Sequence, residues 1–258
     1  MQKKMPVINA EIIDNLYENV SPFVYVKDSY IDNNYPHTNI KEKLIDYVIR
    51  QYRPKFWLEL GSFVGGSALN VASSVKKNNT ETGIICCDPF CGDVNMWDWI
   101  KNPLPSLKGI DGKPYDFLKL ENGIPTIYQR FLANIVFSGH SDIITPIQIT
   151  SIVGIRLIER LYKQQRISEL PSVVYLDSAH EVDETYLELV NAWRCLSSGG
   201  ILFGDDWDWK AVKKDVTKFA KRIQVDSERL KEANECLYSS VVLSNILLYE
   251  GQWVLFKL

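Results

Sequence analysis

An α/β fold built on a mostly parallel sheet, with helices on both faces and an antiparallel hairpin at the C-terminal end, is what this sequence of 258 residues predicts. Three observations point to it. Short apolar runs alternate with stretches of helical periodicity, the pattern of βαβ units. The last two apolar runs flank "YEGQ", a tight-turn sequence that joins neighbouring antiparallel strands. Hydrophobic residues make up 46% of the chain, including seven Trp, thirteen Tyr and ten Phe, enough for one large core.

The elements follow in order. Ile40, Leu44, Tyr47, Val48 and Tyr52 recur at helical spacing, and Pro54 ends that helix. Phe56–Leu60 is a buried strand, and Ser67–Lys76 is the next helix. Gly83–Asp88 is the second strand. Ile143–Ile149 is the third, with Pro146 as a flaw in it. Val173–Asp177 is the fourth. Val182, Tyr186, Leu189, Val190 and Trp193 mark a helix that Gly199 and Gly200 stop. Ile201–Asp205 is the fifth strand, and Val212, Val216, Phe219, Ala220 and Ile223 mark another helix. Val241–Leu248 and Trp253–Leu258 complete seven strands. Residues 1–36 read as an N-terminal extension or cap on a domain spanning 37–258. Residues 89–124, irregular and rich in Pro, Gly and Trp, read as a lid inserted after the second strand.

Charge and cysteines narrow the function classes. Net charge is −3 with no dense basic block, so binding along a phosphate backbone is disfavoured. Cys86, Cys87, Cys91, Cys195 and Cys236 are odd in number and lack the paired spacing of a disulfide framework or zinc site. Reduced thiols in the cytoplasm are expected. No apolar run approaches the ~18 residues of a membrane span, and the N-terminus lacks an export signal's apolar core.

"LELGSFVGGSALNVA" places Gly61, Gly65 and Gly66 between the first strand and its helix. Glycines there admit a ligand close to the backbone, and the helix start favours an anionic group. A plain strand-to-helix turn would look the same. The spacing is G-x-x-x-G-G, where a dinucleotide fold places its second glycine two residues after the first. Asp88, ending the second strand, suits the two hydroxyls of a ribose, although an aspartate before Pro89 also caps turns.

Together, "LELGSFVGGSALNVA" and "CCDPF" resemble the cofactor motifs of class I S-adenosylmethionine-dependent methyltransferases, and the first is especially similar to the catechol O-methyltransferase group. The resemblance implies a Rossmann-like methyltransferase fold. It implies that Glu59, Gly61, Gly65 and Ser67 face the methionine end of the cofactor and that Asp88 holds the ribose. Ser151, in "QITS", would lie on the adenine side, although a serine at a helix start is also an ordinary N-cap.

The fourth and fifth strands end on Asp177 and on "GDDWDW", with Asp205 and Asp206. In the strand order of this fold the two are neighbours, about 4.8 Å apart. Three carboxylates converging on one edge repel one another unless a cation lies between them, and hard oxygen ligands select Mg²⁺, Mn²⁺ or Ca²⁺. The alternative is that Asp205 and Asp206 cap the following helix. Catechol-type enzymes carry an amide where Asp206 stands. "YLDSAHE", "SSGGILFGDDW" and "AVKKDVTKFAK" are similar instead to metal-dependent O-methyltransferases of natural-product sugars, the macrocin and mycinamicin group. That likeness implies Asp177, Asp205 and Asp206 as metal ligands, with Asp177 bordering the cofactor as well. It also implies His180, three residues after Asp177, as the base that accepts a hydroxyl proton. A solvated helix-start residue is the competing reading of His180.

Trp97, Trp99, Tyr115 and Phe117 in the lid would stack on an acceptor, or bury themselves in the core. Asp93, Asp98, Asp111 and Asp116 suit a polyhydroxylated or cationic acceptor. The expected activity is methylation of a small-molecule hydroxyl, without nucleic acid or membrane partners, and possibly within a homo-oligomer. An NAD-dependent oxidoreductase and a non-catalytic binding protein on the same fold are the alternatives.

Overall fold

A computed structural model describes residues 5–27, 40–94 and 120–258. Its centre is an eight-stranded sheet. The strands are β1 (Phe56–Leu60), β2 (Gly83–Asp88), β5 (Ile144–Gln148), β6 (Val173–Leu176), β7 (Ile201–Gly204), β8 (Val241–Leu243), β9 (Ile246–Tyr249) and β10 (Gln252–Phe256). A separate two-residue pair, β3 (Leu120–Glu121) with β4 (Ile124–Pro125), closes the segment expected to be the lid. The spatial order is β5-β2-β1-β6-β7-β10-β9-β8. β5 through β7 are parallel, and β10 enters antiparallel between β7 and β9.

The expected seven strands become eight because Val241–Leu248 is broken. Ser244, at φ 55°, begins a two-residue turn that lets β8 fold back on β9 with Leu243 opposite Ile246. The expected hairpin at "YEGQ" is present. Glu250 and Gly251 both take positive φ, and Tyr249 pairs with Gln252. Pro146 is tolerated because β5 is an edge strand. Its carbonyl accepts the Tyr17 hydroxyl at 2.5 Å instead of a ninth strand.

Helices cover both faces, so the central strands are buried along their whole length. On one face α2 (Glu42–Tyr52), α3 (Gly66–Lys77), α4 (Ile127–Phe137) and α8 (Ser227–Cys236) pack against Trp57, Ile84, Tyr175, Phe203 and Val254. On the other, α1 (Val7–Tyr17), α5 (Ser151–Lys163), α6 (Glu184–Cys195) and α7 (Lys210–Ala220) pack against Leu58, Ile85, Val174, Leu202 and Leu255. Each face is a continuous apolar layer, and that burial is the main stabilising term.

Residues 7–17, assigned from sequence to an extension, are the helix α1 laid on β2 and β5. Its apolar stripe, Ile8, Ile12 and Ile13, is interrupted by buried Asn9. The Asn9 amide donates to the Ile143 carbonyl at 3.1 Å and to the Thr145 hydroxyl at 2.9 Å. Gly83 opposite it has no room for a side chain: a Cβ would stand 2.1 Å from Asn9 Oδ1.

Candidate active site

The C-terminal ends of β1, β2, β6 and β7 lie side by side, so the residues following them share one edge. After β1 the chain turns through Gly61 (φ 85°), Phe63 (φ 45°) and Gly65 (φ 92°) into α3. Gly61 is dictated by packing as well as by φ. A Cβ there would be 2.0 Å from the Asp177 carbonyl oxygen, so the turn after β1 and the end of β6 are in direct backbone contact.

Glu59 is fully buried on β1. Ser67 donates to its Oε1 at 2.9 Å, and among the described residues Oε2 has no hydrogen-bond partner. Burial pushes the carboxyl up to about 8 against the pull of Ser62 and Ser67, and the charges of Asp177 and Asp88 push it the same way. Asp88 is held by the glycine turn itself. Its Oδ2 accepts the Ser62 and Phe63 amides at 2.7 and 2.8 Å, and Oδ1 accepts the Phe90 amide at 2.5 Å. Burial raises its pKa despite these donors. Oδ1 keeps one lone pair for a ligand, fewer than the pair of acceptors expected for both ribose hydroxyls.

The acidic corner lies on β6 and β7. His180 is drawn into it: Nε2 is 2.7 Å from Asp206 Oδ2 and 3.7 Å from Asp177 Oδ1, and Nδ1 is 3.3 Å from Asp93 Oδ2. Trp209 lies against the ring, 5.4 Å between centroids. The Asp206 backbone is left-handed, φ 58°, a conformation costing roughly a kcal/mol. Asp177, His180 and Asp206 each offer a ligand atom, all within 4.8 Å of one another. Asp205, the third expected ligand, is not in that group. It is buried beside it, and burial together with the charges of Asp177 and Asp206 pushes its carboxyl up to about 7. Trp253 on β10 fixes its backbone, with the indole N–H donating to the Asp205 carbonyl at 3.0 Å. The preceding Gly204 leaves room for that indole, since a Cβ would be 2.4 Å from the ring.

Burial works against a charge on His180, but hydrogen bonds to Asp177, Asp206 and Asp93 outweigh it and push the ring up to about 12. With its pKa raised this far the ring favours the imidazolium form among these carboxylates, rather than the neutral base expected from an ordinary histidine.

Three site residues escaped the sequence. Tyr175 donates to Asp177 Oδ2 at 3.1 Å, although its pattern is that of a core aromatic. Glu188 on α6 is buried and accepts hydroxyls from Ser151 and from Ser178, the latter at 2.7 Å. Thr185, on the same helix, donates to the Ala179 carbonyl at 2.7 Å. Helical spacing alone does not distinguish these from ordinary α6 residues. Ser151 therefore stands at the start of α5 as expected, with its hydroxyl proton engaged by Glu188. His140 precedes β5, at the opposite edge of the sheet. His37 and the lid residues Trp97, Asp98, Trp99, Asp111, Tyr115, Asp116 and Phe117 lie outside the described residues.

A glycine turn and strand-end carboxylates on this strand order define the class: a Rossmann-like methyltransferase fold. Residues 58–207, more than half of the chain, match the methyltransferase-domain family, and the protein belongs to it. Cofactor-bound Rv0187 from MTB has the same fold over 99% of this chain and 98% of its own, with a TM-score of 0.52 at 10% identity. CalS11, a calicheamicin methyltransferase, matches over 83% and 77%, with a TM-score of 0.50 at 15% identity. No curated protein matches in sequence.

Proposed function

We propose that the protein is an S-adenosylmethionine-dependent, divalent-metal-dependent O-methyltransferase acting on a hydroxyl of a small molecule, a sugar-containing natural product. The meeting of Asp177, His180 and Asp206 beside the glycine turn carries this reading.

The residues present fit the cofactor. The unpartnered Oε2 of Glu59 is a buried acceptor suited to an ammonium group, and the α3 start behind Gly65 suits a carboxylate. Glu59, Gly61, Gly65 and Ser67 would hold the methionine end, Asp88 the ribose, and Ser151 the adenine side, with Asp177 at the border of the acceptor. The cofactor would supply an electrophilic methyl on a sulfonium.

They also fit a hard divalent cation. Asp177 and Asp206, with Asp205 beside them, would hold Mg²⁺, Mn²⁺ or Ca²⁺, which would supply Lewis-acid activation of a hydroxyl. Burial first, and then the charges of Asp177 and Asp206, raise the Asp205 carboxyl, and a divalent cation beside it would oppose that rise. His180 accepts a proton at Nε2 only once Asp177 and Asp206, which both face that nitrogen, no longer hold it protonated. With those carboxylates engaged elsewhere, Nε2 regains a lone pair within reach of the acceptor.

We place the activity in the cytoplasm, on a soluble acceptor and without nucleic acid. All five cysteines are free, and no helix among the described residues is long and apolar enough to cross a membrane. The test is transfer of labelled methyl to a panel of hydroxylated glycosides. EDTA should abolish it and Mg²⁺ restore it, and Asp177→Ala, which removes a carboxylate ligand outright, should weaken metal binding. Full activity in chelator removes the metal from the mechanism.

A further inference from the structure

We propose that Glu188 is a positioning residue that ties the adenine side of the cofactor site to the loop bearing Asp177 and His180. The proposal rests on the cofactor reading above. One oxygen of Glu188 accepts two hydroxyls from different elements. Ser151 opens α5 directly after β5, and Ser178 directly follows Asp177. Glu188 is 4% exposed, and α5 and α6 already pack through Ile155, Ile158, Leu189 and Ala192. Helix packing alone would be served better by an apolar residue, because a buried carboxylate carries a desolvation cost. What a carboxylate adds is a shared acceptor. A ligand that moves Ser151 moves Glu188, and through Ser178 it moves the loop that carries His180.

The experiment uses S-adenosylhomocysteine as the probe, calorimetry for affinity, and the ring resonances of ¹³C-labelled histidine. The chain has only three histidines, so His180→Gln identifies the signal. Glu188→Ala should weaken binding about fivefold and shift the free His180 resonance, and Glu188→Gln, which keeps an acceptor, should restore most of both. Ser151→Ala should shift His180 although it lies on another element. Ser178→Ala should weaken S-adenosylhomocysteine binding in the native background and have no further effect in Glu188→Ala, the signature of one coupled unit. If Glu188→Ala fails to fold, the two serine variants and Glu188→Gln carry the test. Additive serine effects, or a His180 signal indifferent to Ser151, overturn the proposal. A native protein that binds no S-adenosylhomocysteine overturns the cofactor reading itself.

Discussion

Gly61→Ala adds one methyl group where the two halves of the site touch. The new Cβ would lie 2.0 Å from the Asp177 carbonyl oxygen, 2.5 Å from its carbon and 2.7 Å from Ser178 Cα. All three are backbone atoms, so no rotamer change relieves the clash. Retreat is blocked as well, because the Gly61 amide donates to Cys87 at 3.0 Å and the Asp177 amide to Leu60 at 2.9 Å. Positive φ costs a non-glycine residue about 1 kcal/mol, and overpacking typically about 1–3 kcal/mol. The variant should therefore lose about 2–4 kcal/mol, a large share of a typical domain's stability. The displaced end of β6 also carries Asp177 and the His180 loop, so the folded variant should bind Mn²⁺ more weakly although no ligand has changed. Urea unfolding followed by tryptophan fluorescence gives the first quantity, and metal titration the second. A stability within about 0.5 kcal/mol of the native protein, with unaltered Mn²⁺ affinity, refutes the reasoning.

Other outcomes follow from the same geometry. Glu59 has a carboxyl raised from 4.5 to about 8, so its contribution is present below pH 4.5 and is lost as pH rises through 8. Glu59→Gln should thus gain stability over the native protein near pH 8 and not at pH 4, while binding S-adenosylhomocysteine more weakly; parallel urea and calorimetric measurements check both. His180 is raised from 6.5 to about 12, so the metal-free protein holds this stability below pH 6.5 and loses it as pH climbs toward 12. In His180→Gln the fall in urea midpoint between pH 7 and pH 10 should be shallower, and an equal slope would contradict the ion-paired ring. Asn9→Ala removes bonds to Ile143 and Thr145 and opens space beside Gly83, and should cost about 1–3 kcal/mol in the same unfolding assay.

The strands were legible because fully buried runs such as Phe56–Leu60 and Gly83–Asp88 announce themselves residue by residue. The site edge was legible for a related reason: Asp88, Asp177, Asp205 and Asp206 interrupt or end apolar runs at the strand ends. What hid was anything set by partners distant in sequence. α1 was missed because Asn9 breaks its stripe, and Asn9 is buried only because Gly83 and Thr145 receive it. α8 buries only Leu230 and Ala233, too little for a periodic signal. Glu188 carries no local mark of its role, since it is defined by the hydroxyls of Ser151 and Ser178 on other elements. The histidine was found by its position, but its charge state depends on Asp93, Asp177 and Asp206 around the ring, which spacing does not report.

Trp253 braces the acidic corner from a distant strand. β7 delivers Asp205 and Asp206, yet the strand that fills the space beside Gly204 and holds the Asp205 carbonyl arrives only at residues 252–256. The brace on the acidic corner is therefore the last strand of the sheet in sequence, and a chain cut before residue 252 would keep every carboxylate of the corner while losing the indole that holds Asp205.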